Sequence, residues 1–275
     1  MFAYYTFLSL FALASAAKPW EEETREQWWF DRHNSFLQQT QSNPNGIRVV
    51  FLGDSITEGW LHVARSIWDQ YYASRGAVNY GIGGDRTQHI LWRIRNGELT
   101  GLNPKLVVLK IGTNNLGSAT EDEIALGIQT IVQDIRRMLP QTRILLLGIL
   151  PRNNVEWISD AVRRINTAIS KLDDSYWIRY LDMSSSFQNS PVHVKPELYH
   201  PDLLHLAVPV IVSNQLFNRT KNFSLYSTIY FNQWKDLLSN KIYEINNYNQ
   251  LEINNWLPQI LLPVSSSISH FCPAS

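Results

Sequence analysis

Ser55, Asn114, Asp202 and His205 stand out in this chain because their side chains and settings suit acyl transfer. Ser55 follows Arg48-Val49-Val50-Phe51-Leu52-Gly53-Asp54, a short apolar run that stops at a glycine. Such a run reads as a buried strand, Gly53 permits a tight turn, and the residues after Ser55 can start a helix. The hydroxyl then lies at a strand's carboxyl end, where open α/β sheets keep their ligands. At neutral pH a serine hydroxyl is almost wholly protonated, so as a nucleophile it needs a base. Asp202-Leu203-Leu204-His205 offers an imidazole with a carboxylate three residues before it. On a helical turn that spacing sets both side chains on one face, where the carboxylate orients the ring and stabilises its charged form.

Two further segments carry hydrogen-bond donors. Asn79-Tyr80-Gly81-Ile82-Gly83-Gly84-Asp85 follows a second candidate strand and frees the backbone to aim N–H groups at one point. It is not a dinucleotide fingerprint, because Arg86 stands where Gly-x-Gly-x-x-Gly requires its third glycine. Lys110-Ile111-Gly112-Thr113-Asn114-Asn115 closes the apolar run Leu106 to Leu109, and an amide there can donate to developing negative charge without titrating. Singly, these segments also read as a capped turn, an Asn turn or a surface histidine. Their joint occurrence carries the information.

In this order, the blocks GDSIT, GIGGD, GTNN and DLLHL resemble those of the serine, glycine, asparagine, histidine (SGNH) hydrolases, also called GDSL esterases and lipases. The resemblance runs from about Trp28 to His205. GIGGDRTQHILWRIRNGEL, NPKLVVLKIGTNN and GILPR look most like the platelet-activating factor acetylhydrolase catalytic subunits and their secreted relatives. The resemblance implies Ser55 as nucleophile, His205 as general base and Asp202 as the group that holds the ring. It implies an oxyanion hole from the N–H groups of Ser55 and Gly84 and the side-chain amide of Asn114. It implies neither metal nor cofactor, and a three-layer α/β/α sandwich around a flavodoxin-like five-stranded parallel sheet of order 2-1-3-4-5. Ile56, Thr113 and Leu204, neighbours of the catalytic groups, are expected to line a small acyl pocket suited to acetyl esters of a lipid or glycan.

The elements that must position these residues follow from the pattern. Alternating apolar runs and helical periods predict an α/β fold with strands near 48–53, 77–80, 106–111, 143–149 and 178–182. Helices are expected near 61–73, 86–96, 121–139 and 156–172, the third with Ile124, Ile128, Ile131, Ile135 and Met138 on its buried face. Residues 20–41 read as an amphipathic helix whose Trp28, Trp29, Phe30 and Phe36 pack on the domain or meet sugar or lipid.

With 44% hydrophobic and 17% charged residues, the 275-residue chain can bury one sizeable core. Its 24 basic and 24 acidic residues balance, so nothing points to nucleic acid as a partner. Phe2 to Ala14 is apolar and Ala14-Ser15-Ala16 fits a cleavage site, so residues 1–16 are expected to be a secretory signal. The run is shorter than the roughly 20 residues a membrane span needs, and stable insertion is not expected. Cys272 is the sole cysteine, which excludes an intrachain disulfide, and Asn218 and Asn222 begin glycosylation sequons. The hydrolase domain is expected over 17–206, with 207–275 a divergent extension. His193, His200, Asp202 and His205 crowd one stretch, but not at zinc-hydrolase spacing. Two other readings remain open on sequence: an inactive secreted binding protein on the same scaffold, and acyl transfer to an alcohol.

Overall fold

The computed structural model describes residues 16–207 and Lys241. The expected signal peptide up to residue 15, both sequons, Cys272 and nearly all of the extension lie outside the described residues. Five parallel strands form one sheet: β1 (Val49–Gly53), β2 (Ala77–Gly81), β3 (Leu106–Lys110), β4 (Arg143–Leu147) and β5 (Ile178–Leu181), in the order β2-β1-β3-β4-β5. This is the expected 2-1-3-4-5 sheet, flanked by helices on both faces. Strand ends agree with the expected ones to within two residues.

Burial on both faces explains the unbroken apolar strands. Val50 and Leu52 of β1, Val107 and Leu109 of β3, and Ile144 and Leu146 of β4 point to one face. Phe51, Val108, Leu145 and Leu147 point to the other, as a period of two demands. The first face is covered by α1 (Gln27–Ser42), α4 (Thr87–Arg93), α5 (Glu121–Met138) and α6 (Glu156–Ser170). The second carries α2 (Ser55–Glu58), α3 (Arg65–Tyr71) and α7 (Ser184–Phe187). In α5 the isoleucines at 124, 128, 131 and 135 are fully buried and Met138 partly so. Thr120 and Glu123 close its first turn reciprocally, with backbone-to-side-chain bonds of 3.3 and 3.0 Å.

Three helices differ from expectation. The N-terminal helix begins at Gln27 rather than near residue 20, leaving an extended segment ahead of it. The helix expected over 61–73 is shortened at both ends: α3 covers only Arg65–Tyr71, between 3₁₀ turns at Gly59–Leu61 and Ala73–Arg75, while the short α2 starts at Ser55 as its sequence allowed. Asp54 starts α2 by accepting the Ile56 N–H at 3.0 Å, a capping contact that anchors the turn around Ser55. The helix expected over 86–96 loses regular geometry after Arg93, because Gly97 adopts φ +108°.

Gly53 is where β1 turns into α2. A Cβ there would lie 2.4 Å from the Lys110 carbonyl oxygen and 2.2 Å from Thr57 Oγ1. The main-chain neighbour cannot swing aside as a side chain can. Gly53→Ala is therefore expected to destabilise the fold by roughly 1–3 kcal/mol, the usual cost of overpacking, read as a lower urea midpoint. A wild-type midpoint would mean that the strand–helix junction yields freely.

Candidate active site

Four connections converge at the carboxyl edge of the sheet. The end of β1 presents Ser55, the loop after β2 presents Gly83 and Gly84, and the loop after β3 presents Asn114. The fourth is the segment 199–206 beyond α7. Ser55 Oγ lies 2.9 Å from His205 Nε2, and His205 Nδ1 lies 2.6 Å from Asp202 Oδ2. An ionised carboxylate only accepts, so Nδ1 carries the ring proton and Nε2 is left to accept from the serine hydroxyl.

The expected helical turn at Asp202–His205 is not formed. Leu203 adopts φ +50°, and the segment is a tight turn in which Leu203 N donates to His200 O at 2.9 Å and His200 N to His205 O at 2.8 Å. Asp202 Oδ1 accepts the N–H groups of Leu204 and His205 at 2.9 and 3.0 Å while Oδ2 takes the ring. Partial burial pushes the Asp202 pKa up, but the ring bond and the two N–H bonds outweigh it and bring it down to about 2. The group is a carboxylate throughout the neutral range.

The donor side is ordered by its neighbours. Asn114 Nδ2 donates to the Asp85 carbonyl at 2.8 Å, which uses one amide hydrogen and leaves the second. Gly84 has φ +78°, a conformation suited to glycine, and among the described residues no acceptor takes its N–H or that of Ser55. Ile56 walls a cleft of about 480 Å³ beside Ser55 and His205, together with Glu58, His62, Val63 and Leu206. Thr113 and Leu204, expected in the acyl pocket, do not line this cleft. Thr113 is buried and bonds Arg152 through its hydroxyl and carbonyl, both at 3.1 Å, and Leu204 packs partly buried on the second core face. Among the described residues no three His, Cys, Asp or Glu side chains cluster closely enough to hold a metal ion.

Beneath the site lie charges that sequence reasoning passed over. Lys110 Nζ stands 3.5 Å from Asp54 Oδ2, both fully buried directly behind Ser55. Burial pushes the Lys110 pKa down and Asp54 pulls it back. Asp85 accepts from Trp29 Nε1 at 2.8 Å and faces Arg93 at 3.1 Å. Burial drives its pKa up to about 6 against the opposing pull of Arg93, Trp29 and Arg25. A charged residue inside an apolar run, such as Lys110 in Leu106 to Ile111, was the available signal for the first pair. Arg152 sits in the GILPR block, and nothing local marks Arg25 or Glu58, which reach Gly83 from elsewhere in the chain.

Residues 51–208 match the GDSL-like lipase/acylhydrolase family. The chain belongs to that family. It is 35% identical over 199 residues to platelet-activating factor acetylhydrolase IB subunit alpha1 of Rattus norvegicus, covering 70% of this chain and 82% of that protein. It is 38% identical over 144 residues to the alpha2 subunit of Homo sapiens, covering 52% of this chain and 59% of the other. A GDSL-like lipase from Bacteroides thetaiotaomicron shares the fold with a TM-score of 0.52 at 24% identity, covering 65% of this chain and 90% of that one. As a member of the family the chain is an acylhydrolase, an enzyme that cleaves ester bonds.

The buried pair gives the family scaffold a local vulnerability in this chain. Lys110→Met removes the counter-charge in contact with the Asp54 carboxylate and leaves it only the more distant field of Arg152, and a loss of about 3–5 kcal/mol in urea unfolding is expected. Unchanged stability would mean that other groups neutralise Asp54.

Proposed function

We propose that this GDSL acylhydrolase is a secreted serine esterase that removes short acyl groups, acetyl foremost, from a lipid or glycan through an acyl-serine intermediate. The observation that carries the reading is the 2.9 Å approach of Ser55 Oγ to His205 Nε2, with Asp202 on the far side of the ring. Ser55 Oγ attacks the ester carbonyl carbon as its proton passes to His205 Nε2. The carbonyl oxygen, now anionic, takes hydrogen bonds from Ser55 N, Gly84 N and Asn114 Nδ2. The C–O bond to the alcohol breaks, and the alcohol leaves with the proton from Nε2. Water then repeats the sequence on the acyl-serine, giving the carboxylic acid and free Ser55.

Asp202 stabilises the imidazolium that forms in each step, which its low pKa suits. A short acyl group agrees with the bulk of Ile56 beside the nucleophile and with the acetylhydrolase names of the relatives. The open base–serine pair favours turnover over the inactive binding-protein alternative. Export is supported by the apolar stretch Phe2 to Ala14 and the small residues after it.

On an aryl acetate, Ser55→Ala is expected to be inactive and unlabelled by a fluorophosphonate, whereas Asn114→Ala should retain activity reduced by roughly 10²–10³ in kcat. Wild-type turnover by Ser55→Ala would end the acyl-serine mechanism, and faster cleavage of octanoate than of acetate esters would end the short-acyl assignment. N-terminal sequencing of protein recovered from the medium should begin near Ala17. Retention of Met1 to Ala16 on exported protein would refute cleavage.

A further inference from the structure

The loop that carries Gly84 is held by two side chains that neither the catalytic sequence blocks nor the proposed mechanism includes. Arg25, from the extended segment ahead of α1, donates from Nη1 to the Gly83 carbonyl at 2.7 Å. Glu58, the last residue of α2, accepts the Gly83 N–H on Oε2 at 2.9 Å. Two residues further on, the Asp85 carbonyl is taken by Asn114 at 2.8 Å. Asp85 N in turn donates to Ile82 O at 3.2 Å. Within this held stretch, the Gly84 N–H stands without an acceptor among the described residues.

We infer that Arg25 and Glu58 are positioning residues of the oxyanion hole, clamping the Gly83–Gly84 peptide so that the Gly84 N–H is aimed at the reacting carbonyl. The inference rests on the acyl-serine reading above and deepens it. The Gly83 carbonyl and the Gly84 N–H belong to one planar trans unit, so they point in opposite directions. A guanidinium that captures the carbonyl therefore sets the direction of the N–H. A charge-assisted bond at the oxygen also polarises the unit and makes its N–H a stronger donor. Glu58 fixes the preceding peptide, so the plane cannot rotate about Gly83, whose lack of a side chain would otherwise leave it free.

Arg25 is built in rather than draped over the surface. Its side chain is 21% exposed, reaches Asp85 Oδ1 at 3.3 Å and stacks on the Trp28 ring at 4.6 Å. A Cβ on Gly84 would lie 3.1 Å from Arg25 Nη2, so the guanidinium rests directly on the oxyanion loop. On the other side, a Cβ on Gly83 would stand 3.7 Å from Ser55 Cβ. Glu58 is itself steadied by Arg32 at 3.6 Å, and it forms part of the cleft beside Ser55. The clamp thus joins the segment ahead of α1, α2 and the loop after β2 around one peptide plane.

The test measures kcat and KM on an aryl acetate for wild type, Arg25→Met, Arg25→Lys, Glu58→Ala and Asp31→Asn. It adds inhibition by a trifluoromethyl ketone, whose hemiketal oxyanion needs the hole, and the amide proton resonance of Gly84. Arg25→Met and Glu58→Ala are each expected to lower kcat by roughly tenfold to a hundredfold with KM held within about threefold, and to weaken the inhibitor by the same factor. Arg25→Lys should recover part of the loss, and Asp31→Asn, at an exposed residue of α1 that contacts neither Arg25 nor Glu58, should leave kcat unchanged. The Gly84 amide proton should move upfield in Arg25→Met as its peptide loses polarisation. Wild-type kcat in Arg25→Met, or a loss matched by an equal fall in folded fraction with the Gly84 resonance unmoved, overturns the clamp. If wild type itself neither turns over the ester nor takes the fluorophosphonate at Ser55, the acyl-serine reading fails instead. The Gly84 resonance then decides the clamp alone: movement supports it and none refutes it.

Discussion

One hydrogen bond, between a hydroxyl and an imidazole 150 residues apart, is the constraint that the architecture serves. Its geometry tolerates an error of a few tenths of an ångström, whereas the chain from Ser55 to His205 passes through four strands, β2 to β5, and six α-helices, α2 to α7. Parallel strands make such convergence achievable, because every carboxyl end falls on the same edge and each following loop starts from a fixed place. Gly53 and Asp54 set the starting point for the serine: the glycine admits α2 close against β3, and the carboxylate caps the helix that bears Ser55.

The same edge concentrates buried charge. Asp54 with Lys110, and Asp85 with Arg93, lie where desolvation is expensive, and apolar replacements of equal volume often give more stable interiors. Here the acids have a second task. Asp54 caps α2, and Asp85 anchors Trp29 and Arg25 while its backbone carries the contact to Asn114. The cations are the counter-charges that let these acids remain in the interior, so part of the stability of the domain is invested in holding its catalytic edge.

The sheet was legible in the sequence because both its faces are buried: strands such as Leu106 to Leu109 are continuous apolar runs, buried along their whole length. The residues that meet at the sheet edge, Ser55, Gly84, Asn114, Asp202 and His205, were legible because each sits beside a local signal, a strand end or a short spacing. What escaped was local irregularity and long-range contact. The shortening of the helix expected over 61–73 has no proline or glycine pair to announce it, and the turn at Asp202–His205 imitates helical spacing while Leu203 takes a left-handed backbone. Arg25 and Glu58 reach Gly83 across 58 and 25 residues, so no window of neighbouring residues displays them together. Thr113 illustrates the opposite error: adjacency to Asn114 suggested a pocket wall, but its side chain turns inward to Arg152.

The Asp202–His205 turn has a further consequence for how this enzyme can change. Its carboxylate satisfies two backbone N–H groups and the ring at once, and His200 closes the turn through bonds to Leu203 and His205, so residues 200–205 form a compact cassette that makes these hydrogen bonds within itself. Its seating on the domain depends on contacts such as Asn153 N to Leu203 O at 2.9 Å and Tyr199 Oη to Pro151 O at 2.8 Å. Insertions between β5 and this cassette can therefore reshape the rim of the cleft beside Ser55 while the Asp202–His205 pair travels intact, which lets the surroundings of the cleft vary without disturbing that pair.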